Sequence, residues 1–272
     1  MTLRDLLRAG WSLVRITFFR QLRSKKVVIC ALLILGLTVV VCGIGYDMGR
    51  HAKGGAPTAL DPGRGLRDFG DFVVLRMVGL FFLPAVALLL GAGALGDEKD
   101  EKTLPYLLTR PLTRWGIFVG KFLAVLPIAL LFSVGGLALL HRAASVAGWP
   151  GLEGMLGVFV PAVALGSIAY LAFFHLLSAV FRHATLISIA YVFFIEVFVG
   201  RVPGILKRIS ISFYTWSMVY DAGAPYHIEP RARMVFLPVD GETAAWVLFA
   251  VTLVCLGLGA LRFSRGEYHD AA

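Results

Sequence analysis

Apolar residues along this chain gather into six long runs, about 27–46, 77–96, 115–140, 155–181, 184–200 and 244–261. Runs of this length with few charges are read as bilayer spans, since a helix needs about 20 apolar residues to cross the hydrocarbon core. Residues 1–26 follow a different period. Leu3, Leu7, Trp11, Val14, Phe18 and Leu22 recur every three or four positions, with Arg4, Arg8, Arg15, Arg20 and Arg23 mostly elsewhere around the helix. That spacing predicts a basic amphipathic helix suited to a membrane surface, or to packing on another subunit. Between the last two runs, Ile205, Leu206, Ile209, Phe213, Trp216 and Tyr220 repeat at helical spacing. They predict one or two short helices on, or dipping into, the outer leaflet within an extracytoplasmic segment 201–243, with Lys207 and Arg208 opposing deep insertion. The fold expected is an all-α membrane protein: an interfacial helix over 1–26 and a six-span domain over 27–272. Polar segment 97–114 falls on one side and segment 201–243 on the other.

Detail within the runs refines this picture. Pro84 and Pro127 lie inside the second and third, which membrane helices tolerate when neighbours satisfy the freed carbonyls. Only Arg182 and His183 separate the fourth from the fifth, so these two form a tight antiparallel hairpin. The basic leader and first run look like a secretory signal, but the run is too long and no clean small-x-small site follows, which fits a retained span.

Composition agrees with the pattern. The chain is 58% hydrophobic and 16% charged, against about a quarter charged in soluble domains. Its net charge of +9 comes from residues flanking the runs. Anionic lipid is therefore the expected counter-charge, and no nucleic-acid footprint is present. Placing the leader in the cytoplasm puts both termini, 97–114 and Arg182-His183 on that side, with 14 Lys and Arg against 10 outside. The leader supplies most of this bias, and a multi-pass protein of the inner (cell) membrane follows. Cys30, Cys42 and Cys255 all lie within runs and read as packing residues, with neither disulfide nor metal spacing.

Two nucleotide motifs fail on context. Gly91-Ala-Gly93-Ala-Leu-Gly96 has the letters of a dinucleotide loop but closes a hydrophobic run, where small residues serve close helix packing. Gly116 to Lys121 has one residue too few for a phosphate loop, and Phe122 stands where a magnesium-binding hydroxyl belongs. No site for ATP is expected in this chain, and neither a zinc-protease helix nor a serine-hydrolase elbow is found.

The segment joining the second and third runs carries most information. Asp97, Glu98, Asp100 and Glu101 open it with Lys99 and Lys102, a composition that belongs in water. Leu104, Leu107 and Leu108 then line one side of a short helix starting near Pro105. Pro111 ends that helix between Arg110 and Arg114. A solvated charged turn is the alternative. The stretch resembles the signature of ABC type-2 transporter permeases, in Glu98, Thr103, Leu104, Leu107, Leu108, Pro111, Arg114, Gly120 and Lys121. The family usually has glycine directly before the threonine, where this chain has Lys102.

The resemblance implies the membrane-spanning permease subunit of an ATP-driven exporter, without a fused ATPase and not itself an enzyme. ATP and Mg would sit on two partner ATPase subunits, and a second permease copy or a paralogue would complete a dimer. Glu98, Asp100, Glu101, Thr103, Leu104, Leu107, Leu108, Arg110, Pro111 and Arg114 would then form the ATPase-coupling element. Its acids would pair with basic residues of the ATPase, and Arg110 and Arg114 with its acids or with lipid phosphate. Inside the membrane, Glu196 is the one carboxylate deep in a run and hence a translocation-path candidate, against a structural hydrogen-bonded group. His175 is a second candidate, against a packed neutral histidine. A secondary transporter or membrane-embedded enzyme remains the alternative, but it calls for repeated halves or a polar intramembrane cluster that the sequence lacks.

Overall fold

The computed structural model describes residues 3–53, 62–100, 113–201, 204–230 and 236–266. All regular structure among them is helical. The leader is α1 (Leu3–Leu22), and after a break at Ser24 the first span is α2 (Lys25–Lys53). The second, α3, is one rod of five consecutive pieces: Pro62–Asp68, Phe69–Phe82, Leu83–Ala87, Leu88–Ala92 and Gly93–Asp100. The second and fourth pieces have the wider π winding and flank the piece containing Pro84, whose missing N–H already interrupts the ladder. Then come α4 (Arg114–Val146) and α5 (Leu156–Val180). Next is α6 (Ala184–Tyr191), which continues as a π turn over Val192–Phe198. Finally come α7 (Ile211–Gly223) and α8 (Gly241–Arg265).

Among the described residues, five helices are long and apolar enough to cross a membrane: Lys25–Asp47, Gly65–Glu98, Arg114–Val146, Leu156–Val180 and Gly241–Arg265. The second and third begin or end well outside the expected 77–96 and 115–140. Much of the loop expected at 47–71 is helix, because Arg67, Asp68, Asp71 and Arg76 break the apolar run without breaking the helix. The fifth expected span, 184–200, is the shorter helix Ala184–Phe198, about 22 Å long and less than the roughly 30 Å hydrocarbon thickness.

α5 is the hub, packing against α3, α4, α6, α7 and α8. Gly91 explains one contact: a Cβ there would lie 3.0 Å from the Leu171 carbonyl of α5. α3 is the most enclosed span, whereas α2 and α8 are largely exposed at the bundle periphery. The segment after α6 does not lie flat. α7 is inserted between α3, α5 and α8, with Thr215 against Gly166 and Trp216 against Gly79. Gly166 is ten residues inside α5, about 15 Å from its end. The obstacle expected from Lys207 is met by aromatic cover, its ammonium lying 5.7 Å from the Phe213 ring and 5.1 Å from that of Phe236.

The α5–α7 contact yields a stability prediction. A Cβ at Gly166 would sit 2.7 Å from Thr215 Oγ1 and 3.0 Å from its Cγ2. Gly166→Val should therefore overpack the joint at a cost of about 1–3 kcal/mol, read as a lower melting temperature in detergent. Gly157→Ala on the same helix meets nothing within 4 Å and should melt at or above the wild type. Equal melting of both variants would mean that α7 is not seated there.

Candidate functional site

The polar segment after α3 begins in an intramolecular charge cluster. The core stripe of α4 reads Ile117, Phe118, Lys121, Phe122 and Val125, all buried. A lysine at such a position is unstable unless paired. Lys121 is fully buried and forms an ion pair with Glu98 in the last turn of α3. It also donates to the Ala94 carbonyl at 2.9 Å. The other carboxylate oxygen of Glu98 accepts from Arg20 of α1 at 2.9 Å. Next to it, Asp97 accepts from Lys26 at the start of α2 at 2.6 Å.

Two adjacent acids at the C-terminal end of α3 oppose its dipole. Arg20, Lys26 and Lys121 compensate, and in doing so bind α1, α2 and α4 to one turn of α3. Glycines admit these partners. A Cβ on Gly93 would collide with the Lys26 ammonium, and one on Gly120 would lie 3.3 Å from Leu13 of α1. Beneath the charges, Leu13, Leu95, Ile117, Phe118, Ala179 and Phe263 form a separate apolar cluster joining α1, α3, α4, α5 and α8.

The expected site residues divide accordingly. Glu98 is not a solvated loop acid: it is 5% exposed, because the second span runs on through it. Asp100 closes α3. Glu101, Thr103, Leu104, Leu107, Leu108, Arg110 and Pro111 lie outside the described residues. Arg114 opens α4 and donates to the Gly266 carbonyl at 2.9 Å, a favourable place for a cation at the C-terminal end of α8. The coupling element expected from the sequence did not include Arg20, Lys26, Asp97 or Lys121, of which the structure joins Arg20 and Lys121 to Glu98 and Lys26 to Asp97. The signal that marks Lys121 is a charge in phase with the apolar stripe of α4.

Glu196 lies elsewhere and is buried. Its Oε1 accepts from the Tyr191 hydroxyl at 2.9 Å and the Ile211 N–H at 3.0 Å, and its Oε2 from the Ser212 N–H at 3.2 Å. The next N–H, of Phe213, donates to Ser210 Oγ at 3.3 Å. The first three N–H groups of α7 are thus satisfied, with a carboxylate at the positive end of the helix dipole. The π turn over Val192–Phe198 carries Glu196 to this position. His175 is buried between Phe118 and Phe122, ring centres 4.3 and 5.9 Å away. Its Nε2–H donates to the Phe118 carbonyl at 3.0 Å, the geometry of a packed histidine.

Comparison with known proteins fits this arrangement. The family model described as ABC-2 family transporter protein matches residues 11–268, a range holding the leader contacts, the charge cluster and every span. The chain belongs to the ABC-2 transporter family. No curated protein matches it. As an ABC-2 member with several apolar helices, it is a multi-pass membrane protein and the permease part of an ABC transporter, a family that partners ABC ATPase subunits. In this ABC-2 chain, Gly120 admits the leader, and Lys121 holds the end of the second span.

The buried pair can be tested directly. Lys121→Met leaves one oxygen of the buried Glu98 carboxylate without its cation, with Arg20 still on the other, and should cost about 1–3 kcal/mol, whereas Glu98→Gln with Lys121→Met should recover part of it. Thermal melting of the purified protein checks both. A single variant as stable as wild type would mean that the pair holds nothing together.

Proposed function

We propose that this chain is the membrane-spanning subunit of an ATP-driven exporter, coupled through segment 97–114 and the leader to two separate ATPase subunits that bind ATP and Mg. The observation that carries this reading is the Glu98 cluster. The coupling segment leaves from α3 at residues tied to α1, α2 and α4, so a push delivered there moves four helices together. Leu104, Leu107 and Leu108 form the docking face in this proposal, with Asp100, Glu101, Arg110 and Arg114 at its rim. The apolar centre of an interface supplies most of the energy and rim charges chiefly steer. In this reading the short α6 serves as the fifth of six spans, and both termini lie in the cytoplasm of an inner-membrane protein, the side assigned to the basic leader. A second copy or a paralogue completes the path. Glu196 serves it by holding α7 in the half of the bundle opposite the coupling segment, and His175 by packing the layer beside Lys121.

Leu107→Asp should abolish co-purification of the ATPase from membranes, while Asp100→Asn should leave it within about threefold of wild type, as expected for a rim charge. An intact complex with Leu107→Asp would remove 97–114 as the coupling element.

Orientation is checked with single cysteines in a chain lacking Cys30, Cys42 and Cys255. In sealed right-side-out cells an impermeant thiol reagent should label Ala224→Cys, which is exposed, and spare Thr109→Cys. The reverse pattern would invert the topology.

A further inference from the structure

The leader has a second side that its packing role leaves unused. Leu13, Thr17 and Gln21 are buried and face the bundle. On the opposite side, Trp11, Arg15 and Phe19 follow one another at four-residue steps, each about 40° around the helix from the last, Arg23 comes in the turn directly after α1, and all four are exposed. Ile16 and Leu22 flank them. Trp11 is 70% exposed, Ile16 54%, Phe19 48% and Leu22 40%. The Arg15 guanidinium lies 6.0 Å from the centre of the Phe19 ring, so cationic and apolar groups share one surface.

The depth of this surface follows from its attachments. Leu13 rests on Gly120, six residues into α4 and therefore about 9 Å from its end. Arg20 and Lys26 meet the last turns of α3. The exposed side of α1 thus lies where hydrocarbon gives way to headgroups. We propose that it is a binding surface for anionic phospholipids, with Trp11, Ile16, Phe19 and Leu22 in the acyl boundary and Arg15 and Arg23 on headgroup phosphates.

Both halves of the pattern are needed for this conclusion. A helix facing water gains nothing from four large apolar side chains, and a zwitterionic bilayer leaves the two arginines without net counter-charge. An anionic bilayer satisfies both, since guanidinium groups bind phosphate in bidentate fashion and basic interfacial helices favour anionic lipid. The chain's net charge of +9 has the same sign. Because Arg20 on the same helix pairs with Glu98, bound headgroups hold the leader in the position that closes the charge cluster. The proposal rests on the multi-pass membrane reading, and coupling to the ATPase through segment 97–114 stands or falls separately from it.

The test uses the full chain in liposomes carrying brominated phosphatidylglycerol or brominated phosphatidylcholine at equal fraction. The Trp11 signal is the difference between wild type and Trp11→Phe. Trp11 should be quenched more strongly by the brominated anionic lipid in dilute buffer, and the preference should fade with added salt. Arg15→Gln and Arg23→Gln should each weaken it about fivefold, while Arg15→Lys with Arg23→Lys should retain most of it. Equal quenching by the two lipids would overturn the anionic preference. Absence of Trp11 quenching by either would show the face covered by protein and overturn the proposal, leaving the ATPase reading intact.

Discussion

A lysine on the core stripe of a membrane helix stays charged and buried only if a carboxylate meets it. Lys121 and Glu98 satisfy that requirement, and one end of the molecule is arranged around them. Glu98 must remain in the last turn of α3, so the second span extends through a sequence that looks like loop. Arg20 then takes the remaining oxygen and holds the leader against α4. The glycines at 93 and 120 follow from the same demand, since a side chain at either would block Lys26 or Leu13.

The other half of the bundle meets an equivalent constraint with a helix terminus. α6 is shorter than the hydrocarbon layer is thick, and α7 starts within the bundle with Ile211 and Ser212 buried, so its first N–H groups are out of reach of bulk water. Leaving such groups unpaired costs about 1–3 kcal/mol each. Glu196 and Ser210 accept from three of them. The buried acid and the broken span are therefore one feature: the carboxylate lets a helix begin inside the membrane, and the helix dipole keeps the carboxylate there. Both halves place charge where the sequence reads as apolar, each time against an opposite charge or oriented N–H groups.

Much of the candidate site was legible as a segment and not as an arrangement. Its composition and its likeness to the ABC type-2 signature marked 97–114 and included Gly120 and Lys121. Its acids read as solvated because a run of Asp, Glu and Lys normally is. Nothing in that run separates Glu98, which points into the bundle, from neighbours further along. The leader shows a similar division. Helical period identified it, and expected Leu3, Leu7, Trp11, Val14, Phe18 and Leu22 on the side turned to a membrane surface or another subunit, but the period alone did not show which side the bundle itself covers. Leu13, Thr17 and Gln21 are the buried side, since Arg20 reaches Glu98 and Leu13 lies against Gly120 of α4.

By itself the sequence determined the class and the succession of helices, since burial in lipid demands long apolar runs and satisfied backbones, and both are local properties of the chain. It also determined that Glu196 is exceptional, because an acid within a span is costly wherever the helix lies. Only the tertiary structure decided where each span ends, which face of the leader is covered, and that α7 enters the bundle. Those outcomes depend on partners distant in sequence: Lys121 for Glu98, Asp97 for Lys26, Gly166 for Thr215, and the N–H groups of Ile211 and Ser212 for Glu196. A charge or a glycine acquires its meaning from the group opposite, and that group is fixed by packing rather than by sequence neighbours.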